Sequence, residues 1–283
     1  MIEQSKIPIV NLCKDLPISK PTFYRLKENQ NPPDLDRKLR LKIHKIVEEF
    51  PFYGYRRVTK ELVNLGVIAN HKKVLRIMKE ENLICRRKKK FKPVTTQSNH
   101  AYKTYPNLAK NLEVTGLNQL WVSDITYIQL LTEVVYLAVI IDVFSRRCVG
   151  WFLSRDIDTQ LTLGALNKAI AARRQFGFNK LIHHSDLGVQ YASGEYVARL
   201  KKIGVRISMS RKGNVYDNAF AESFIKTLKV EEVYLKEYET LEDTYKNIEE
   251  FIEKVYNKKR LHSSIGYLSP NKFEKEVLKS SKN

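Results

Sequence analysis

Ten residues, Val134 to Val143 (VVYLAVIIDV), constrain the fold more than any other stretch of this chain. Only Asp142 interrupts an apolar run that lacks two-residue alternation and is far too short to cross a membrane. Such a run reads as a strand buried on both faces, which needs a layer of structure on each side. Trp121 to Leu130 reads as a strand before it. Cys148 to Leu153 reads as a strand after it, joined by the short Ser145-Arg146-Arg147 turn. Thr159 to Phe176 is then helical, Leu181 to His184 a strand, Ser193 to Ile203 a helix and Val205 to Met209 a strand. Asn218 to Val230 and Leu241 to Tyr256 are helical. A three-stranded meander followed by alternating units predicts an α/β domain of the ribonuclease-H-like kind over residues 118–283, ending in a helical tail.

The front of the chain reads differently. Pro8 to Leu16 forms one short helix; Pro17 breaks it, and Ser19 caps a second over Thr22 to Lys27. With the polar, proline-containing stretch Asn29 to Asp36, this predicts a helix-turn-helix and linker over residues 1–36. A second all-α unit follows over 37–92. Its first helix carries the stripe Leu39, Ile43, Ile46, Val47 and Phe50; the next runs through YGYRRVTKEL to Leu65 and stops at Gly66. Asn70 caps a last helix, His71 to Glu81, with Val74, Ile77 and Met78 inward. Lys72, Lys73, Arg76 and Lys79 are left on its other faces, which makes it the candidate recognition helix. Residues 93–117 read as a linker.

Charge separates the two halves. The formal net charge is +19; residues 1–117 carry a balance of +14, and 118–283 only +5. Arg86, Arg87, Lys88, Lys89 and Lys90 are consecutive. Five adjacent cations repel one another unless an anion is near, so the run is expected to lie along phosphates. The surface as a whole predicts a polyanion partner, nucleic acid. Cys13, Cys85 and Cys148 are far apart with no CxxC pair, which argues against a disulfide framework and a structural zinc site. With no membrane span or signal segment in the sequence, a cytoplasmic location is the expectation.

Three acids stand in contexts that suit catalysis: Asp124 within a strand (WVSDITY), Asp186 just past one (HHSDLGVQY) and Glu222 near a helix start (YDNAFAESFIKTLK). In such a sheet the first and fourth strands are neighbours, so the acids can meet. Carboxylates brought together repel, and hard divalent ions, Mg²⁺ or Mn²⁺, relieve the repulsion. Two ions could activate an attacking oxygen and stabilise a leaving one during phosphoryl transfer. Asn218, Glu222, Lys226 and Lys229 share one helix face, so Lys226 and Lys229 are placed to grip phosphates. Asn218 is assigned a supporting role, ordering a metal-bound water or the loop 213–218. Asp142 reads as structural, bonded within its turn; Asp217 as a helix cap; His184 and His262 as packed. Glu195 lies too near Asp186 in sequence to serve as the distant third ligand.

Taken together, LCKDLPISKPTFYRL, YGYRRVTKELVNLG, NHKKVLRIMKEENL, WVSDITYI, HHSDLGVQY, GNVYDNAFAESFIKTLK and YNKKRLHSSIGYLSP resemble the catalytic reading frame of IS3-family insertion-sequence transposases. In its core the chain is also similar to retroviral integrases. The 35 residues between Asp186 and Glu222, and Lys229 after them, fit the family pattern. The resemblance implies that Asp124, Asp186 and Glu222 are the metal-binding catalytic triad. It also implies 3′-end cleavage of element DNA and transesterification by a 3′-hydroxyl. It implies element ends and target DNA as partners, a homo-oligomer on DNA, and an upstream-frame product that supplies a further helix-turn-helix and a leucine zipper. The chain departs from retroviral integrases in having helical units where their zinc module stands. Other readings of the same residues are a ribonuclease-H-like nuclease, and a DNA-binding regulator or inhibitor made from the isolated frame.

Overall fold

The computed structural model describes residues 19–28, 36–85, 102–210 and 218–280, with no account of the side chains of 25–28. The first helix expected, residues 8–16, the basic run Arg86 to Lys90 and the cap candidate Asp217 lie outside these residues.

Helix α1 (Lys20–Glu28) begins where Ser19 Oγ accepts the Thr22 N–H at 3.3 Å. Three further helices, α2 (Arg37–Glu49), α3 (Tyr55–Asn64) and α4 (His71–Glu80), form the second helical unit. Ile43, Ile46, Val58, Leu62, Val74, Ile77 and Met78 make its core, matching the apolar stripes of the sequence. Asn70 caps α4 by accepting the Lys72 N–H at 2.8 Å. This unit is not isolated. Leu261 of the tail is part of the same core, and its N–H donates to the Tyr53 hydroxyl at 2.8 Å.

The second part of the chain is built on a five-stranded sheet of order β3-β2-β1-β4-β5. Its strands are β1 (Leu120–Gln129), β2 (Val134–Asp142), β3 (Cys148–Ser154), β4 (Ile182–Ser185) and β5 (Arg206–Met209). β1, β2 and β3 form the antiparallel meander; β4 joins β1 in parallel, with Trp121 opposite His183 and Val122 opposite His184. The crossover from β3 to β4 is α5 (Thr159–Arg173), which a short 3₁₀ turn extends to Phe176. A single turn, α6 (Val189–Ala192), precedes α7 (Gly194–Lys202), which leads to β5. The remaining helices are α8 (Ala219–Glu231), α9 (Leu241–Glu250) and α10 (Pro270–Ser280). α9 continues as a π-helix over Phe251–Tyr256, which its unbroken apolar period in the sequence did not reveal.

Two cores flank the sheet, as the doubly buried β2 requires. Trp121, Ile125, Ala138 and Ile140 point to one face, under α5 and α7; Val122, Ile128, Leu137 and Val139 point to the other, under α8 and α9. Part of the stretch expected as a linker is packed on this body. Tyr105 and Leu108 rest against the two cores, and the Leu108 N–H donates to Ser208 Oγ at 2.8 Å.

Candidate active site

Alternation along β1 decides where Asp124 points. Its even-numbered neighbours Val122 and Ile128 belong to the core beneath α8, so Asp124 faces that helix. Asp186 follows β4 by one residue, and β4 is hydrogen-bonded to β1. Glu222 lies in the first turn of α8, exposed, on the flank facing away from the buried Ala221, Phe224 and Leu228.

The acids sense one another. Burial pushes the Asp124 carboxyl up to about 7, and the charges of Asp186 and Glu222 add to the shift. The Ile125 N–H, donating to Asp124 Oδ1 at 2.8 Å, and the charge of Lys229 act in the opposite direction. Lys229 lies over the Tyr127 ring, 4.0 Å from its centroid, which brings it back towards β1. Asp186 is half-buried, and its Oδ1 accepts the Gly188 N–H at 3.0 Å. Gly188 permits this close turn; a Cβ there would stand 2.9 Å from that oxygen. Among the described residues no three His, Cys, Asp or Glu side chains are gathered closely enough to form a ligand set.

Asn218 is buried, and its Nδ2 donates to the Ser123 carbonyl at 3.0 Å. It therefore ties the start of α8 to the backbone beside Asp124, where the sequence suggested the ordering of a water or loop. The spacing that put Asn218 and Glu222 on one face was legible; that Ser123 would lie opposite was not. Tyr191 went unnoticed in the sequence. It is buried, and its hydroxyl is raised by burial, by Tyr196, and by Asp124 and Asp186, so it lies in the field of both acids.

The competing acids and histidines have structural employment. Asp142 is fully buried; Oδ1 accepts the Ser145 N–H at 2.9 Å and Oδ2 the Asn118 N–H at 2.8 Å. His184 is buried with Nδ1 2.8 Å from Ser208 Oγ, and Glu195 accepts from Gln160 on the surface. His262 is buried against Tyr256, with ring centroids 4.8 Å apart, and its N–H donates to the Leu268 carbonyl.

Of the cations expected on DNA, Lys226 is exposed on α8. On α4, Lys72 and Lys79 are exposed, whereas Lys73 and Arg76 form ion pairs with Asp36, and Arg76 also pairs with Glu80 at 2.8 Å. Asp36 precedes α2, so these pairs tie α4 to the start of its own unit.

Two integrase core domain families match this chain, over residues 115–215 and 203–270, and an HTH-like domain family matches 34–91. The transposase for insertion sequence element IS904 of Lactococcus lactis subsp. lactis is 40% identical over 225 residues, covering 79% of this chain and 87% of that one. The IS600 uncharacterized 31 kDa protein of Shigella sonnei is 36% identical over 270 residues, 94% of this chain and 98% of that one. Transposase InsF of IS3A from Escherichia coli K12 is 37% identical, with 80% and 78% covered. Among solved structures, the chain resembles a simian T-cell lymphotropic virus intasome at 15% identity, with a TM-score of 0.47 and 82% and 74% covered. Sequence identity over most of both chains is what decides the assignment: the chain belongs to the IS3 family of insertion-sequence transposases.

Proposed function

We propose that Asp124, Asp186 and Glu222 are the catalytic residues with which this DDE-type polynucleotidyl transferase cleaves the ends of its own element and joins them to target DNA. One observation carries the reading: burial and the charges of Asp186 and Glu222 push the Asp124 carboxyl up to about 7, whereas among the described residues the buried Asp142 and Glu274 are tied into turn and ion-pair contacts. Asp124, Asp186 and Glu222 offer only hard oxygen donors, and the chemistry of that donor set fits Mg²⁺ or Mn²⁺. The three acids would hold two such ions, which when bound supply Lewis-acid stabilisation of the attacking and leaving oxygens. The chain's own residues position the substrate. Asn218 fixes β1 beside Asp124, Gly188 lets the Asp186 turn close, and Lys226 and Lys229 meet the phosphates that run along α8. Lys72, Lys73 and Arg76 of α4, with the run Arg86 to Lys90, are assigned to DNA outside the reacting bond. Joining two ends requires two centres side by side, so the acting form is a homo-oligomer on DNA; an upstream-frame product would add further contacts to the ends.

The test uses the full chain with duplex DNA carrying the terminal repeats of its element, in Mg²⁺ or Mn²⁺. Asp124→Asn is expected to abolish strand nicking and joining while binding the duplex like the parent. If the variant cuts as fast as the parent, the carboxylate assignment is wrong.

A further inference from the structure

We infer that the cleft between α3, the β2–β3 turn, α8 and the tail is a second phosphate site, which grips a DNA phosphodiester away from the carboxylates. The cleft has a volume of about 390 Å³. Three arginines line it, from three of the four regions it joins: Arg57 of α3, Arg146 of the turn and Arg260 of the tail. Ser223 and Thr227 of α8 and Ser263 of the tail add hydroxyl donors.

The charges do not balance. Arg260 is held at both ends by Glu231, with Nε to Oε2 at 2.7 Å and Nη2 to Oε1 at 2.7 Å. Neither Arg57 nor Arg146 forms an ion pair among the described residues. Arg146 lies over the Phe220 ring, 4.0 Å from its centroid, and its buried Nε has no hydrogen-bond partner there. Its φ of +65° is a left-handed value rare for a side chain of this kind, so the backbone turns it into the cleft under strain. Arg57 and Arg260 are close enough to act on one another, and all three guanidinium groups act on His262. Burial lowers Arg57, with Arg260 as the next cause; burial also pushes His262 down to about 2, helped by all three arginines. Three cations stand against the ion-paired Glu231 and the turn-bonded Asp142, whose charge acts on Arg146, with neutral hydroxyls and a neutral imidazole around them, so cations still exceed carboxylates. Guanidinium forks and hydroxyls suit phosphate oxygens.

Position favours a phosphate in a polymer over a free ion. Ser223 and Thr227 lie one helical turn apart on α8, about 100° around the helix from the Glu222 face. A nucleic-acid strand leaving the acids along α8 would meet this flank next. The same phosphate would touch the helical unit, the sheet and the tail together and so fasten the unit that carries α4 to the catalytic body. The inference rests on the reading that the carboxylate centre acts on DNA.

The test compares the full-length parent with Arg57→Gln, Arg146→Gln and Lys202→Gln, the last removing an exposed charge on α7. Thermal melting with added inorganic phosphate, without DNA, is expected to show stabilisation of the parent and Lys202→Gln, and none of the two arginine variants. Each arginine variant should also weaken duplex binding roughly tenfold, the loss of one charge-assisted hydrogen bond. It should lower the slope of log affinity against log salt by about one. Equal phosphate stabilisation in all four proteins would overturn the site. Phosphate stabilisation lost in the arginine variants, with duplex affinity and salt slope unchanged, would overturn the DNA assignment in favour of a free phosphate ion. If Asp124→Asn still nicks DNA while the arginine variants behave as stated, the catalytic reading fails and this one stands.

Discussion

Asp124 occupies a strand position flanked on the same face by Val122 and the buried Thr126, and its ionised form is disfavoured until a counter-charge arrives. Its value of about 7 lies above the ordinary 3.8, so folding favours the protonated acid. That preference is fully present below pH 3.8 and is lost as the pH rises through about 7. Once ionised, without a cation, the side chain should cost the fold on the order of 2–4 kcal/mol. In chelator, Asp124→Asn is therefore expected to melt above the parent at about pH 8 and to lose that advantage at about pH 4. Millimolar Mg²⁺ or Mn²⁺ should close the gap at high pH by stabilising the parent alone. A gap that ignores both pH and metal would mean that it does not arise from the charge of Asp124. That Asp186 and Glu222 would come within electrostatic reach of Asp124 was legible in the sequence, because each stands in a short motif on an element that the topology brings together. The supporting roles were not. Asn218 and Ser123 are 95 positions apart, and no local pattern announces that one amide will hold the other's carbonyl.

At the scale of elements, period and punctuation served well. β2 is buried along almost its whole length, as its unbroken apolar run required, and the turn to β3 forms around Asp142 and Ser145. The close fit of α5 on β3 was invisible, since it depends on which small residues meet. Gly150 of β3 lies under α5, and a Cβ there would stand 2.3 Å from the Ala165 carbonyl oxygen and 2.7 Å from Ala169 Cβ. Gly150→Ala is thus expected to force helix and sheet apart and to destabilise the protein by about 1–3 kcal/mol, read as a lower urea midpoint. An unchanged midpoint would show that α5 shifts freely. The π-helix at the end of α9 was equally hidden, because one extra residue in a turn hardly alters an apolar period.

Across the whole molecule, the tail holds the parts together. Glu274 of α10 is buried; it accepts from Ser145 Oγ at 2.7 Å and Arg147 at 2.9 Å and pairs with the buried Arg173 of α5. Burial opposes its charge, but Arg173 overcomes that and holds the carboxyl below its usual value. Glu274→Ala would leave the Arg173 guanidinium buried and unpaired, at an expected loss of about 3–5 kcal/mol measured by chemical denaturation. A loss within the range of a surface substitution would mean that water reaches Arg173. On its other side the tail lends Leu261 to the core of the helical unit. The sequence by itself determined the class of fold, the approach of Asp186 and Glu222 to Asp124 and the basic front half. These depend on local period, residue chemistry and composition, which neighbours in the chain suffice to express. Tertiary structure alone decided that the helical unit docks on the tail, that Asn218 braces β1, and that Arg57, Arg146 and Arg260 face one cleft. Each of these joins residues tens to hundreds of positions apart, and only the packing of the sheet against its helices brings such residues within hydrogen-bonding or Coulombic reach.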